Sequence, residues 1–137
     1  MPPRILVVDD EPELLRALCV RLTAEGFACE TANNGREALE QLKAELPDLI
    51  ILDLLMPEVS GYEVCRRLQE DQRTSKIPVI VLTAVPERTV KQTTEWLGAS
   101  SVLHKPFDTS ILLSTVRHLL KLPSPRTTGS PGGSRDG

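Results

Sequence analysis

Residues 4–13 read RILVVDDEPE, so that four aliphatic residues, Ile5 to Val8, run directly into three acids, Asp9, Asp10 and Glu11. An apolar run without polar alternation is the pattern of a strand covered on both faces, as central strands of parallel sheets are. Mutual repulsion and desolvation both penalise three adjacent acids at its end, so the placement calls for a compensating cation. The first feature points to a fold and the second to a site at the strand's tip.

Four more segments extend the pattern. Strands are predicted over 4–8, 27–31, 48–52, 78–82 and 101–104, and LIIL (49–52) and VIVL (79–82) are apolar at every position. Between them lie helical stripes. Residues 11–24 align Leu14, Leu15, Leu18 and Leu22, with Asp10 or Glu11 at the N-terminus, Pro12 in the first turn and Gly26 as the stop. Residues 36–46 align Ala38, Leu39 and Leu42 between the Asn33-Asn34-Gly35 turn and Pro47. Residues 61–70 turn Val64, Cys65 and Leu68 inward, and Asp108 is placed to cap a final helix carrying Leu112, Val116, Leu119 and Leu120. The stretch 86–97 is the weakest of these helices, because only Val90 and Leu97 anchor it among threonines that form helix poorly. Strands alternating with helices in this way predict an α/β fold, a parallel sheet with helices on both faces.

At 137 residues the chain is one domain's worth of sequence, and a composition 40% hydrophobic and 26% charged fits a globular protein. We expect the folded domain to occupy residues 1–122, followed at 123–137 by a flexible tail or linker rich in Pro, Gly and Ser. A net charge of -3 argues against a nucleic-acid surface in this chain. With no signal sequence, long apolar run or lipidation motif, the expectation is a cytoplasmic protein without a membrane anchor. Cys19, Cys29 and Cys65 lack C-x-x-C spacing and fall within apolar patterns, which predicts buried free thiols.

In open parallel sheets, functional groups gather beyond the carboxyl ends of the strands. Those ends here are Asp9 and Asp10, Asp53, Thr83 and Lys105, each directly after its apolar run. Hard oxygen donors without thiolate or imidazole point to Mg2+, which takes one or two carboxylates plus phosphate oxygens. Lys105 and Thr83 suit the peripheral oxygens of a phosphoryl group on or beside Asp53, and a carboxylate is itself able to act as the nucleophile.

These residues carry a resemblance. VVDDE (7–11), ILDLLMPEVSG (51–61), VIVLTA (79–84) and HKPF (104–107) resemble, in order, spacing and strand placement, the receiver domain of two-component response regulators. The resemblance implies a doubly wound five-stranded sheet in the flavodoxin-like order 2-1-3-4-5. It implies that Asp53 is the phosphoacceptor, that Asp10 and Asp53 bind Mg2+ directly, that Asp9 does so through water, and that the Leu55 backbone carbonyl completes the protein ligands. It further implies that Thr83 and Lys105 hold the phosphoryl oxygens, that the Lys105-Pro106 peptide is cis, and that Met56, Pro57 and Gly61 shape the loop after the phosphoacceptor. The implied partners are a sensor histidine kinase or phosphotransfer protein upstream and an effector downstream. The partner face would be formed by the fourth and fifth predicted helices and the fifth strand, which also offers a route to a phosphorylation-dependent homodimer. Such a chain is a phosphoacceptor switch and not an enzyme on a separate substrate.

Three positions bear on how far the family pattern holds. Val102 stands where receivers usually carry Tyr or Phe, which puts the usual coupling between threonine and ring in doubt. Leu55 and Val85 are apolar at positions flanking the attacking water's route in the family, which predicts slow self-dephosphorylation. Three alternatives stay open: a receiver-like interaction domain not regulated by phosphorylation, a Mg2+-dependent phosphohydrolase working through an aspartyl phosphate, and a flavodoxin-like cofactor binder. The second lacks an acid at Leu55 and the third lacks rings to stack on a flavin, aromatics being 3% of the chain. The output is not encoded here, so a stand-alone receiver with a tail and the N-terminal part of a larger regulator fit the sequence equally.

Overall fold

The computed structural model describes residues 2–84 and 98–123. The helix expected at 86–97, Val85 and the tail beyond residue 123 lie outside them. Five strands form one parallel sheet in the order β2-β1-β3-β4-β5: β1 (Arg4–Val8), β2 (Ala28–Ala32), β3 (Leu49–Asp53), β4 (Val79–Thr83) and β5 (Ser101–His104). The described helices are α1 (Pro12–Ala24), α2 (Gly35–Ala44), α3 (Gly61–Glu70) and α4 (Thr109–Leu119).

The uniformly apolar strands are explained by two separate cores. Ile5, Val7, Leu49, Ile51, Ile80 and Leu82 pack with Leu15, Leu18 and Leu22 of α1 and Leu112 and Val116 of α4. Their neighbours Leu6, Val8, Ile50, Leu52, Val79 and Val81 pack on the other face with Ala38 and Leu42 of α2 and Val64, Cys65 and Leu68 of α3. Successive side chains point to opposite faces of a strand, so a central strand covered on both sides has no position left for a polar residue until its tip.

Helix starts follow the sequence chemistry with one exception. Asn34, Ser60 and Asp108 each accept a hydrogen bond from a first-turn backbone N–H. The N-cap of α1 is Glu11, which makes no side-chain cap bond, and Pro12 fills the position behind it. Gly26, at φ 96°, lets the chain turn out of α1 in the left-handed region. Strands β2, β3 and β4 each begin and end one residue later than predicted. At β3 the cause is visible: the Arg4 N–H donates to the Asp48 carboxylate and the Asp48 N–H to the Arg4 carbonyl, at 2.7 and 2.8 Å, so Asp48 closes off the strand's entry while pairing carries on through Asp53.

The expectation of three buried thiols needs correction. All three cysteines are free, but only Cys65 is buried, and burial pushes its thiol up to about 12. Cys29 is half-buried because β2 is the edge strand of the described sheet, and Cys19 is half-buried on α1.

One residue fastens the last helix. Nη2 of Arg117 lies 3.2 Å from the Glu25 carbonyl oxygen and 3.1 Å from its carboxylate, and the guanidinium sits 5.2 Å from the centroid of the Phe27 ring. This docks α4, and the loop before it that carries Lys105, onto the end of α1. Arg117→Ala is expected to lower stability to urea by ~1–2 kcal/mol, through the lost cation–π and hydrogen bonds. Arg117→Lys should recover only part of that, because an ammonium lacks the planar fork.

Candidate functional site

Register brings the strand tips level. Val8 pairs with Leu52, so Asp9 and Asp53 lie side by side at the point where the sheet order reverses between β1 and β3. Thr83 pairs with His104, and the Lys105 N–H donates to the Thr83 carbonyl oxygen at 2.8 Å, just before the cis Lys105-Pro106 peptide.

Asp9 is fully buried. Its Oδ1 accepts the Glu11 N–H at 2.9 Å and its Oδ2 accepts Lys105 Nζ at 2.8 Å, so both oxygens are engaged. Asp10 is exposed. Asp53 is 4% exposed; its Oδ1 accepts the Leu55 N–H at 3.2 Å and its Oδ2 lies 3.6 Å from Lys105 Nζ. Asp9, Asp10 and Asp53 each offer one oxygen within 4.8 Å of the others. Thr83 is fully buried on the next strand tip. Gly61 seals the site from below: a Cβ there would meet the Asp53 carbonyl oxygen at 2.2 Å and Leu54 Cα at 2.6 Å, so only glycine permits α3 to start against the end of β3.

The electrostatics are out of balance. Burial, and then the charge of Asp9, push the Asp53 carboxyl up to about 6, against the opposing pull of the Leu55 N–H and of Lys105. Burial works to lower the Lys105 ammonium, but hydrogen bonds to Asp9 and Glu11 and the charges of Asp53 and Asp9 outweigh it and hold Lys105 above its ordinary value. Among the described residues, four acids, Asp9, Asp10, Glu11 and Asp53, thus gather around the ammonium of Lys105. Hard oxygens in charge excess are the donor set that a small divalent cation fits.

Of the residues singled out in the sequence, Asp9, Asp10, Asp53 and Lys105 meet in one cluster and Thr83 stands at the adjoining tip. The Leu55 backbone enters through its N–H to Asp53, and its side chain is 52% exposed beside the site. Met56 is buried in the core below. The sequence marks Glu11 only as one of the clustered acids or a helix cap, yet its carboxylate takes Lys105 Nζ at 2.9 Å. The one signal for that role, an acid following the aspartate pair, has an equally good local explanation.

The fold agrees with that of known proteins. The model of the response regulator receiver domain matches residues 5–117. The chain belongs to the response regulator receiver family. Its relatives include the phosphate regulon transcriptional regulatory protein PhoB of Rhizobium meliloti (strain 1021), 42% identical over 125 residues that make up 91% of this chain and 55% of that protein. The signal receiver domain of a signal transduction histidine kinase from Syntrophus aciditrophicus superposes with a TM-score of 0.81 at 37% identity, covering 92% of this chain and 98% of that one. Response regulator TrrA from Thermotoga maritima, solved in complex with Mg2+-BeF, superposes with a TM-score of 0.76 at 36% identity, covering 87% of this chain and 99% of that one. The receiver spans about half the length of the curated transcriptional regulators it matches.

The raised Asp53 carboxyl has a measurable consequence. A folded-state value of about 6 against an ordinary 3.8 stabilises the metal-free receiver below the ordinary value, and that stability is lost as pH rises through about 6. Urea midpoints of the metal-free protein should therefore fall between pH 5 and pH 7 by more than those of Asp53→Asn. At pH 7 the variant should be the more stable, by ~1–3 kcal/mol.

Proposed function

We propose that this receiver accepts a phosphoryl group on Asp53, assisted by Mg2+, and so switches the binding of a partner. The observation that carries the reading is the cluster itself: three carboxylates within 4.8 Å of one another, with Lys105 Nζ 3.6 Å from Asp53 Oδ2. Asp10 and Asp53, with the Leu55 carbonyl, would hold the metal directly. Asp9, whose two oxygens already accept Glu11 N–H and Lys105 Nζ, would reach it through water. When bound, Mg2+ neutralises the oxygens of the group in transfer.

The donor would be phosphohistidine on a sensor kinase or phosphotransfer protein. An Asp53 oxygen attacks phosphorus, the phosphorus–nitrogen bond breaks, and the electron pair and a proton stay with the departing imidazole. The chain's part is positioning. Burial fixes Asp53, the Leu55 N–H holds its Oδ1, and Lys105 and the Thr83 hydroxyl would receive the peripheral phosphoryl oxygens. On this reading the chain is a switch and not an enzyme with a substrate of its own. Residues 1–122 are the receiver and 123–137 the tail or linker, and it acts in the cytoplasm, without nucleic-acid binding by this chain. The effector, or a second phosphorylated copy, would engage the surface of β5 and α4. That TrrA was solved with Mg2+-BeF supports the same ligand pair here.

A second reading, an interaction domain never phosphorylated, draws on Val102. It is half-buried against the core, where a ring would be needed for the family's usual movement.

Calorimetric titration with beryllofluoride separates the two readings. Saturable binding is expected only when Mg2+ is also present, and Asp53→Asn should abolish it. Binding that survives in Asp53→Asn, or none in the parent chain, overturns the phosphoacceptor reading. The aspartyl phosphate should decay about 2- to 10-fold faster in Leu55→Asn, the effect of one added hydrogen bond orienting the attacking water. Decay is followed by loss of acid-labile phosphate.

A further inference from the structure

We propose that Glu11 is a positioning residue that holds the Lys105 ammonium away from the phosphoryl pocket until an anion arrives there. The inference rests on the phosphoacceptor reading of Asp53 and deepens it.

Lys105 Nζ is 2.8 Å from Asp9 Oδ2 and 2.9 Å from Glu11 Oε1, but 3.6 Å from Asp53 Oδ2. It is hydrogen-bonded to the first two acids and only near the third. An ammonium has three donors, and two of them are committed to groups on the β1 side. The third is uncommitted, but Nζ stands 3.6 Å from Asp53 Oδ2, so to bring that donor onto an oxygen bound to Asp53 it has to move toward β3, and the motion stretches its contacts with the other two.

The partners differ in how readily they let go. The Asp9 side chain is 1% exposed and its other oxygen is pinned by the Glu11 N–H, so releasing Lys105 would leave a buried carboxylate short of a partner. The Glu11 side chain is 62% exposed, and water replaces the ammonium there at little cost. It sits at the N-cap of α1 without making a side-chain cap bond. Glu11 is therefore the partner that yields. Until then it draws Lys105 outward, to the wall of the groove of about 940 Å³ between α1 and the β5–α4 loop, which Glu11, Leu14, Lys105 and Phe107 line.

The device acts as a brake, and removing it should favour the anion-bound state. At saturating Mg2+, Glu11→Gln is expected to bind beryllofluoride about two- to fivefold more tightly than the parent chain, the range for breaking one exposed ion pair. Glu11→Asp separates contact from charge, because it keeps the carboxylate but is one methylene too short to reach Nζ, and it should also bind more tightly. Mg2+ alone should bind Glu11→Gln no more tightly than the parent, and the Nζ resonance of Lys105 should already lie toward its anion-bound position in that variant. Equal or weaker beryllofluoride binding by Glu11→Gln overturns the inference. So does a Glu11→Asp indistinguishable from the parent, or a Mg2+ affinity that rises together with that for beryllofluoride. If the parent chain itself does not bind beryllofluoride with Mg2+, it is the phosphoacceptor reading that has failed.

Discussion

The structure depends on a charge imbalance held at one edge of a sheet. Asp9 and Asp53 are buried at adjacent strand tips, Asp10 and Glu11 follow on the same turn, and Lys105 is the ammonium that answers them. Side chains with freedom to move would separate. These do not, because β1 and β3 are central strands whose every other residue is locked into one of the two cores, and the ladder from Ile5↔Leu49 to Val8↔Leu52 sets their ends level. The cores, strong and indifferent to ligand, hold in place an arrangement that is unfavourable in isolation. An unfavourable charge arrangement is one that a cation or a transferred anion can act on, since relief of the repulsion is part of what binding gains.

The supports around the cluster are backbone features more than side chains. The Glu11 and Leu55 amides orient Asp9 and Asp53, Gly61 lets α3 begin against the Asp53 carbonyl, and Glu58 takes a positive φ of 64° in the loop between them. Arg117 fixes α4 from the far end, and with it the frame from which Lys105 reaches across.

The fold was legible because burial on both faces leaves an unambiguous trace, runs such as LIIL and VIVL with a polar residue at the tip. Strand ends were harder to place, because Asp53 and Thr83 look like loop residues by polarity and yet stay within the ladder, where neighbouring backbone governs and side-chain type does not. Cys29 illustrates the same limit: an apolar pattern gives the inward face of a strand but not whether the strand lies at the sheet's edge. In the site, Asp9, Asp10, Asp53, Thr83 and Lys105 were readable from their common position after apolar runs. The Glu11–Lys105 pair was not, since its partners are 94 residues apart and meet only through the path of the β5–α4 loop.

Val102 bears on how a change at this site could travel. It pairs with Val81 in the ladder and packs against the α2 and α3 core, and a β-branched side chain with few rotamers has no swing comparable to that of a ring. What links the site to β5 is backbone: the Lys105 N–H on the Thr83 carbonyl, and Thr83 opposite His104. A Lys105 drawn outward by Glu11 and one drawn inward to Asp53 load that connection differently, because the ammonium and the amide belong to the same residue. On the proposed reading, movement of the lysine would itself shift β5 and the start of α4, and a receiver with valine at position 102 would couple its acidic site to its surface without an aromatic intermediary.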